Sequence, residues 1–163
     1  MNQQSGFVVR APLAEELSVL AEHEPPNSGI AASHFAAHLL GQVSFAVAWD
    51  GSKPLGYVVL DHESAAHRPE LKHLFVYPQA RRRGVAGSLC DWGERQARAL
   101  KFSVIYLAVG LLNEPARNLY RARGFRSIGE IVQTSYEYPD SDGRLRLITE
   151  KDEFFLKSLS GPE

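Results

Sequence analysis

The stretch from Glu70 to Val109 constrains the fold most. "ELKHLFVYP" (Glu70–Pro78) reads as a strand, Gly84 to about Leu100 as a long helix, and "SVIYLAV" (Ser103–Val109) as an unbroken apolar strand. A strand of the last kind is expected to be covered on both faces of its sheet. Strand, crossover helix and strand close into a right-handed parallel unit. In the helix Val85, Leu89, Trp92 and Gln96 share one stripe, with Ala86 and Gly93 beside it, which suits packing on a sheet.

Other elements surround this unit. "FVVRA" (Phe7–Ala11) is a short strand, and Leu13, Leu17 and Leu20 recur at helical spacing after Pro12. A second short helix, Ser33–Leu40, is expected to be capped by Ser33 and ended by Gly41. "VSFAVAWD" and "PLGYVVLDH" form an antiparallel pair around the Asp50-Gly51 turn signal. A short helix follows the second central strand, its start marked by Asn113 and Pro115 and its end by Gly124. Strands around Phe125–Val132 and Arg144–Leu159, with "PDSDG" between them, complete the chain. Residues 1–163 are thus expected to form one α+β domain. Its mixed sheet has about six or seven strands, antiparallel in the first half with a parallel pair in the middle, and about four helices flank it.

Composition narrows the function. Eighteen Lys and Arg balance 19 Asp and Glu, so the net charge of -1 gives no global attraction to nucleic acid or anionic lipid. No apolar run approaches the ~20 residues of a membrane span, and a basic start followed by an apolar stretch is missing. Cys90 is the only cysteine, which rules out an intrachain disulfide framework and makes a reducing cytoplasm the simplest home. His34 and His38 are four apart on the second helix, but no third ligand completes a metal site.

The local exception to the charge balance is "VYPQARRRGVAGSL" (Val76–Leu89). Pro78 should end the strand, and Gly84, Ala86 and Gly87 keep bulk off the backbone entering the helix. Free N–H groups at a helix N-terminus, backed by the helix dipole, make an anion site, and three arginines beside it suit a diphosphate. The competing reading is a solvated basic turn. The loop's place beyond the carboxyl end of a parallel strand favours the anion site.

"RRRGVA" (Arg81–Ala86) resembles the Arg/Gln-x-x-Gly-x-Gly/Ala motif of the GNAT acetyltransferase superfamily. "NEPARNLYRARGF" (Asn113–Phe125) resembles the second signature of that family. The resemblance implies an acetyl-coenzyme A dependent N-acetyltransferase without a metal. The backbone from Arg81, Arg82 and Arg83 through Gly84, Val85, Ala86 and Gly87 would hold the pyrophosphate. Phe75 and Val76 would pair with the pantetheine arm, and Asn113 would face that arm. Tyr120 matches the general acid of the family.

For the general base, alternation places Glu70, Lys72, Leu74 and Val76 on one face of their strand and Leu71, His73, Phe75 and Tyr77 on the other. Glu70 is the candidate, acting through water. Lys72 stands where many family members carry a carboxylate, which keeps open a coenzyme A binding or sensing protein without turnover. The acceptor is expected to be a small-molecule or peptide amine, shaped by loops at Glu24–Ser33, Asp61–Pro69 and Thr134–Arg144. Asp61, Glu63, Asp140 and Asp142 favour a cation there. Nucleic acid and membrane are not expected as partners, while a homodimer is compatible with the resemblance.

Overall fold

The computed structural model describes residues 6–160. The chain divides into two compact units, one running to Ile105 and taking in Leu159, the other spanning Tyr106–Ser158. The described residues hold seven strands and four α-helices in all.

The first unit contains β1 (Val8–Arg10), α1 (Leu17–Ala21), α2 (Ile30–Leu39), β2 (Val43–Asp50), β3 (Lys53–Asp61), β4 (Glu70–Val76) and α3 (Val85–Ala99). Its strands lie side by side in the order β1-β2-β3-β4, each antiparallel to the next. Asp50 pairs with Lys53 across the expected tight turn, where Gly51 takes φ 59. Residues Phe45, Val47 and Val59 meet Leu20 and Ala31 in one buried cluster, so α1 and α2 cover that face of the sheet. On the other face Gln96 of α3 donates to Ser44 Oγ at 3.0 Å, and Leu71 lies over Gly93.

Two details of this unit depart from the sequence reading. The buried residues of α3 are Val85, Leu89, Cys90, Gly93, Glu94 and Ala97, whereas Trp92 and Gln96 lie half-buried. Glycine and alanine let the helix approach closely, and that decides which side faces the strands. Helix α2 begins at Ile30, not Ser33, because Gly29 at φ 63 turns the chain into it. Ser33 is already inside the helix, its N–H donating to the Gly29 carbonyl at 2.9 Å.

Strand β5 (Val104–Gly110) leads into the second unit, which holds α4 (Glu114–Ala122), β6 (Arg126–Pro139) and β7 (Leu145–Ser158). Here β7 lies between β5 and β6. Ile105, Leu107 and Val109 are buried and their neighbours half-buried, so β5 is closed more completely on one side than its unbroken apolar run suggests. Strands β6 and β7 pair antiparallel from Arg126 and Leu156 out to Pro139 and Leu145. The expected loop at Thr134–Arg144 is therefore mostly strand, and the charged run Lys151–Glu153 is strand as well. Phe154 and Phe155 are buried.

Candidate active site

The loop after β4 is built from backbone turns. Tyr77 N–H donates to the Leu55 carbonyl at 2.9 Å, a 3-10 turn covers Pro78–Ala80, and Arg82 (φ 64) and Gly84 (φ 80) swing the chain into α3. No side chain caps that helix. Its first intrahelical bond from the start runs from Ser88 N–H to the Gly84 carbonyl, 3.1 Å, so the amides of Val85, Ala86 and Gly87 stand at the open, positive end of the helix. Arg81 and Arg82 are exposed and have no side-chain partner among the described residues. Arg83 is already engaged: Nη2 lies 3.2 Å from Asp50 Oδ2 and the guanidinium 5.9 Å from the Phe7 ring centre. Two exposed arginines thus immediately precede three amides that no side chain caps, a donor set that fits a diphosphate.

Along β4, the Tyr77–Leu55 bond sets the alternation of the antiparallel ladder. Phe75, opposite Tyr57, directs its N–H and C=O toward β3, while those of Val76, opposite Gly56, point to the other edge. Of the two residues expected beside the pantetheine arm, Val76 has the outward backbone groups.

The ladder is irregular just before this. Tyr57 faces Phe75 but Val59 faces Lys72, so His73 and Leu74 together oppose Val58 in a bulge, with His73 at φ 54. The bulge breaks the expected alternation, since register now puts Glu70, Lys72 and Phe75 on one face with Asp61, Val59 and Tyr57. Seven aromatic or imidazole rings gather there. His34 lies 4.8 Å from His73 and 5.4 Å from Phe45, Tyr57 lies 6.0 Å from Phe75, and Tyr77 stacks on His23 at 4.6 Å. Burial holds the His34 imidazole at a pKa of about 4, with His73 adding to the effect. Burial also pushes the Tyr57 hydroxyl up, helped by Glu24.

Glu70 sits at the far end of β4, 8% exposed, and accepts from Ser64 Oγ at 3.3 Å. Burial pushes its carboxyl up, against the opposing pull of Lys72 and Ser64. Lys72 is bonded to Asp61 at 3.0 Å. Asp140 is likewise occupied, binding the Asp142 and Arg144 amides and the Arg146 side chain within its turn. His38 is structural, its Nδ1 accepting from Phe45 N–H at 3.1 Å. Cys90 is buried in α3.

In the second unit, Asn113 caps α4: its side-chain oxygen accepts from Ala116 N–H at 3.3 Å. Tyr120 is buried and meets Phe125 edge-on at 5.9 Å. Beneath them Arg117 pairs with Glu153 at 2.7 Å and lies over Phe155. A cleft of about 840 Å³ opens at the end of β5, lined by Gly110–Asn113, Pro115 and Thr149–Asp152. Burial raises the Asp152 carboxyl in that lining, and Glu150 adds to the rise.

These two signatures, with the strands and helices around them, match the model of the Acetyltransferase (GNAT) family over residues 13–125. The chain belongs to this family. Solved structures share the GNAT fold. They include the ribosomal-protein-S18-alanine N-acetyltransferase of Escherichia coli (17% identity, 96% of each chain, TM-score 0.67). An N-acetyltransferase from Staphylococcus aureus Mu50 matches at 15% identity over 94% of this chain and 99% of that one, TM-score 0.71. The PaiA N-acetyltransferase of Thermoplasma acidophilum, solved with coenzyme A, matches at 15% identity over 93% and 98%, TM-score 0.64. No curated protein matches the chain.

The mixed α+β GNAT architecture expected from the sequence is therefore present. What sequence reasoning missed is the imidazole pair. His34 and His73 are 39 residues apart, and only the bulge brings their rings together. The one available signal was the density of rings in "HLFVY" and "GYVV" on neighbouring strands.

Proposed function

We propose that this GNAT chain transfers the acetyl group of acetyl-coenzyme A to a primary amine by direct attack in a ternary complex. The observation that carries the reading is the uncapped N-terminus of α3, flanked by Arg81 and Arg82 and set at the end of a strand whose Val76 amide and carbonyl face outward. Arg81–Gly87 would hold the pyrophosphate, and Val76 would pair with the pantetheine arm as an added strand does. Asn113 would face the arm through groups other than its capping oxygen.

The reaction needs a neutral amine nitrogen, a base for its proton, and a proton for the departing thiolate. Tyr120 holds the general-acid place by its position in the motif. Full transfer from a phenol to a thiolate is uphill by about 2 kcal/mol at reference pKa values, so its contribution is a hydrogen bond that tightens as charge builds on sulfur. A primary alkylamine is mostly protonated at neutral pH, so a base that takes up its proton is needed to make the nitrogen nucleophilic. The acceptor is a small molecule or peptide amine, and a reducing cytoplasm, compatible with the single cysteine, is its setting. No helix among the described residues is long and apolar enough to cross a membrane.

Thiol release from acetyl-coenzyme A, measured with a polyamine, an arylalkylamine, an aminoglycoside, free amino acids and a peptide N-terminus, tests the reading. Acceleration by at least one amine is expected. Release with none of them, by protein that binds acetyl-coenzyme A, would shift the assignment to a coenzyme A binding protein without turnover.

A further inference from the structure

We propose that His73 is the base that takes the proton of the attacking amine, with His34 as the residue that positions it. The proposal rests on the acetyl transfer above and replaces the unnamed base in it. Three observations select His73 over Glu70. His73 is exposed, whereas Glu70 is buried and already accepts the Ser64 hydroxyl. His73 stands three residues before Val76, about 10 Å along the strand, and Glu70 about 20 Å. The bulge places His73 at φ 54, a conformation a β-strand histidine adopts only when its surroundings hold it there.

The neighbours come from α2, β3 and β4. From α2, His34 packs its ring 4.8 Å away with a 39° tilt. From β3, Tyr57 closes on His34 at 6.1 Å, and Asp61 adds a carboxylate; Lys72 is the charged neighbour on β4 itself. Although the residue as a whole is exposed, desolvation of its ring by the packed neighbours lowers the His73 imidazole; Lys72 lowers it further and Asp61 opposes both. With His34 held at about 4, both rings are neutral at physiological pH. A neutral imidazole is ready to accept a proton.

In the step, the amine nitrogen attacks the thioester carbon and a C–N bond forms. The proton on that nitrogen passes to an imidazole nitrogen of His73. The C–S bond breaks with its electron pair on sulfur, where a hydrogen bond from the Tyr120 hydroxyl stabilises the charge. The proton held by the imidazolium passes through solvent to the thiolate, leaving neutral His73, intact Tyr120, an amide and free coenzyme A.

The test uses His73→Asn, because asparagine tolerates a left-handed φ, and His73→Gly, which removes the side chain at no backbone cost. Thiol release is followed with the best amine of the panel, and without amine, where water is the acceptor and the same base serves. Expected is a fall of about 100-fold or more in both variants, with the acid limb of the pH profile lost and the stabilisation by acetyl-coenzyme A retained. Added imidazole should restore part of the His73→Gly rate. For His34→Ala, water reaches His73, so the acid limb should move to higher pH; an unmoved limb removes His34 from the account. Rates within threefold of wild type in His73→Asn overturn the proposal, as does a loss that imidazole fails to restore. Wild-type thiol release no faster than in buffer overturns it too, while a retained acetyl-coenzyme A shift in that case leaves the binding half of the function standing.

Discussion

Gly84 is the residue on which the phosphate reading rests most narrowly. At φ 80 it enters a helix from the left-handed region, and nothing lies within 4 Å of where a Cβ would stand, so glycine is required by the backbone and not by crowding. Gly84→Glu strains that turn and sets a negative charge among the uncapped amides. Acetyl-coenzyme A binding is expected to weaken at least tenfold by calorimetry, with the protein still folded. Tyr120→Phe keeps the ring on Phe125, so turnover should fall while binding stays within about twofold; equal losses of both would refute the division of roles. Glu70 supplies a pH test. Its folded pKa is raised, so the ionised form costs stability at neutral pH and the cost vanishes once the group is protonated. Glu70→Gln should therefore melt no lower than wild type at pH 7, and the two should converge as pH falls below the carboxylate range. The cradle residues were legible because a loop of Gly and Arg carries its chemistry in consecutive positions. The His34–His73 contact was not, since it depends on one extra residue in a ladder.

At the level of elements, two glycines report how tightly the layers close. A Cβ at Gly56 would stand 2.4 Å from the Phe75 carbonyl oxygen, which is backbone and cannot yield without opening the β3–β4 ladder. A Cβ at Gly93 would stand 2.5 Å from Leu71 Cδ1, a side-chain tip. Gly93→Ala should cost about 1–3 kcal/mol in denaturant unfolding, and Gly56→Ala more. Adding Leu71→Val to Gly93→Ala should destabilise by less than the sum of the two changes; strict additivity would mean that the helix, not Leu71, makes room. The strands of the first unit were readable because one face is apolar and the turns between them are marked. The outer half of the β6–β7 hairpin was not. Ile131, Val132, Tyr136, Leu145 and Leu147 are all exposed, so no buried face imprints an alternation on the sequence. Likewise the start of α2 is set by Gly29, a turn residue that carries no helical periodicity.

For the molecule as a whole, the near-zero net charge and the occupied Arg83 leave a local anion site in place of a basic surface. Low salt sensitivity is expected for any contact with DNA, and a steep salt dependence would revive that partner. The central claim is that this GNAT chain binds acetyl-coenzyme A through the N-terminus of α3. It is tested most directly by a thermal melt of wild type and Gly84→Glu, with and without acetyl-coenzyme A at about 100 times its dissociation constant. That saturation adds about 2.7 kcal/mol, or a rise of about 5–10 °C for a chain of this size. The account predicts that rise in the wild type and no more than about half of it in Gly84→Glu. A folded wild type whose melting point acetyl-coenzyme A leaves unchanged would contradict it.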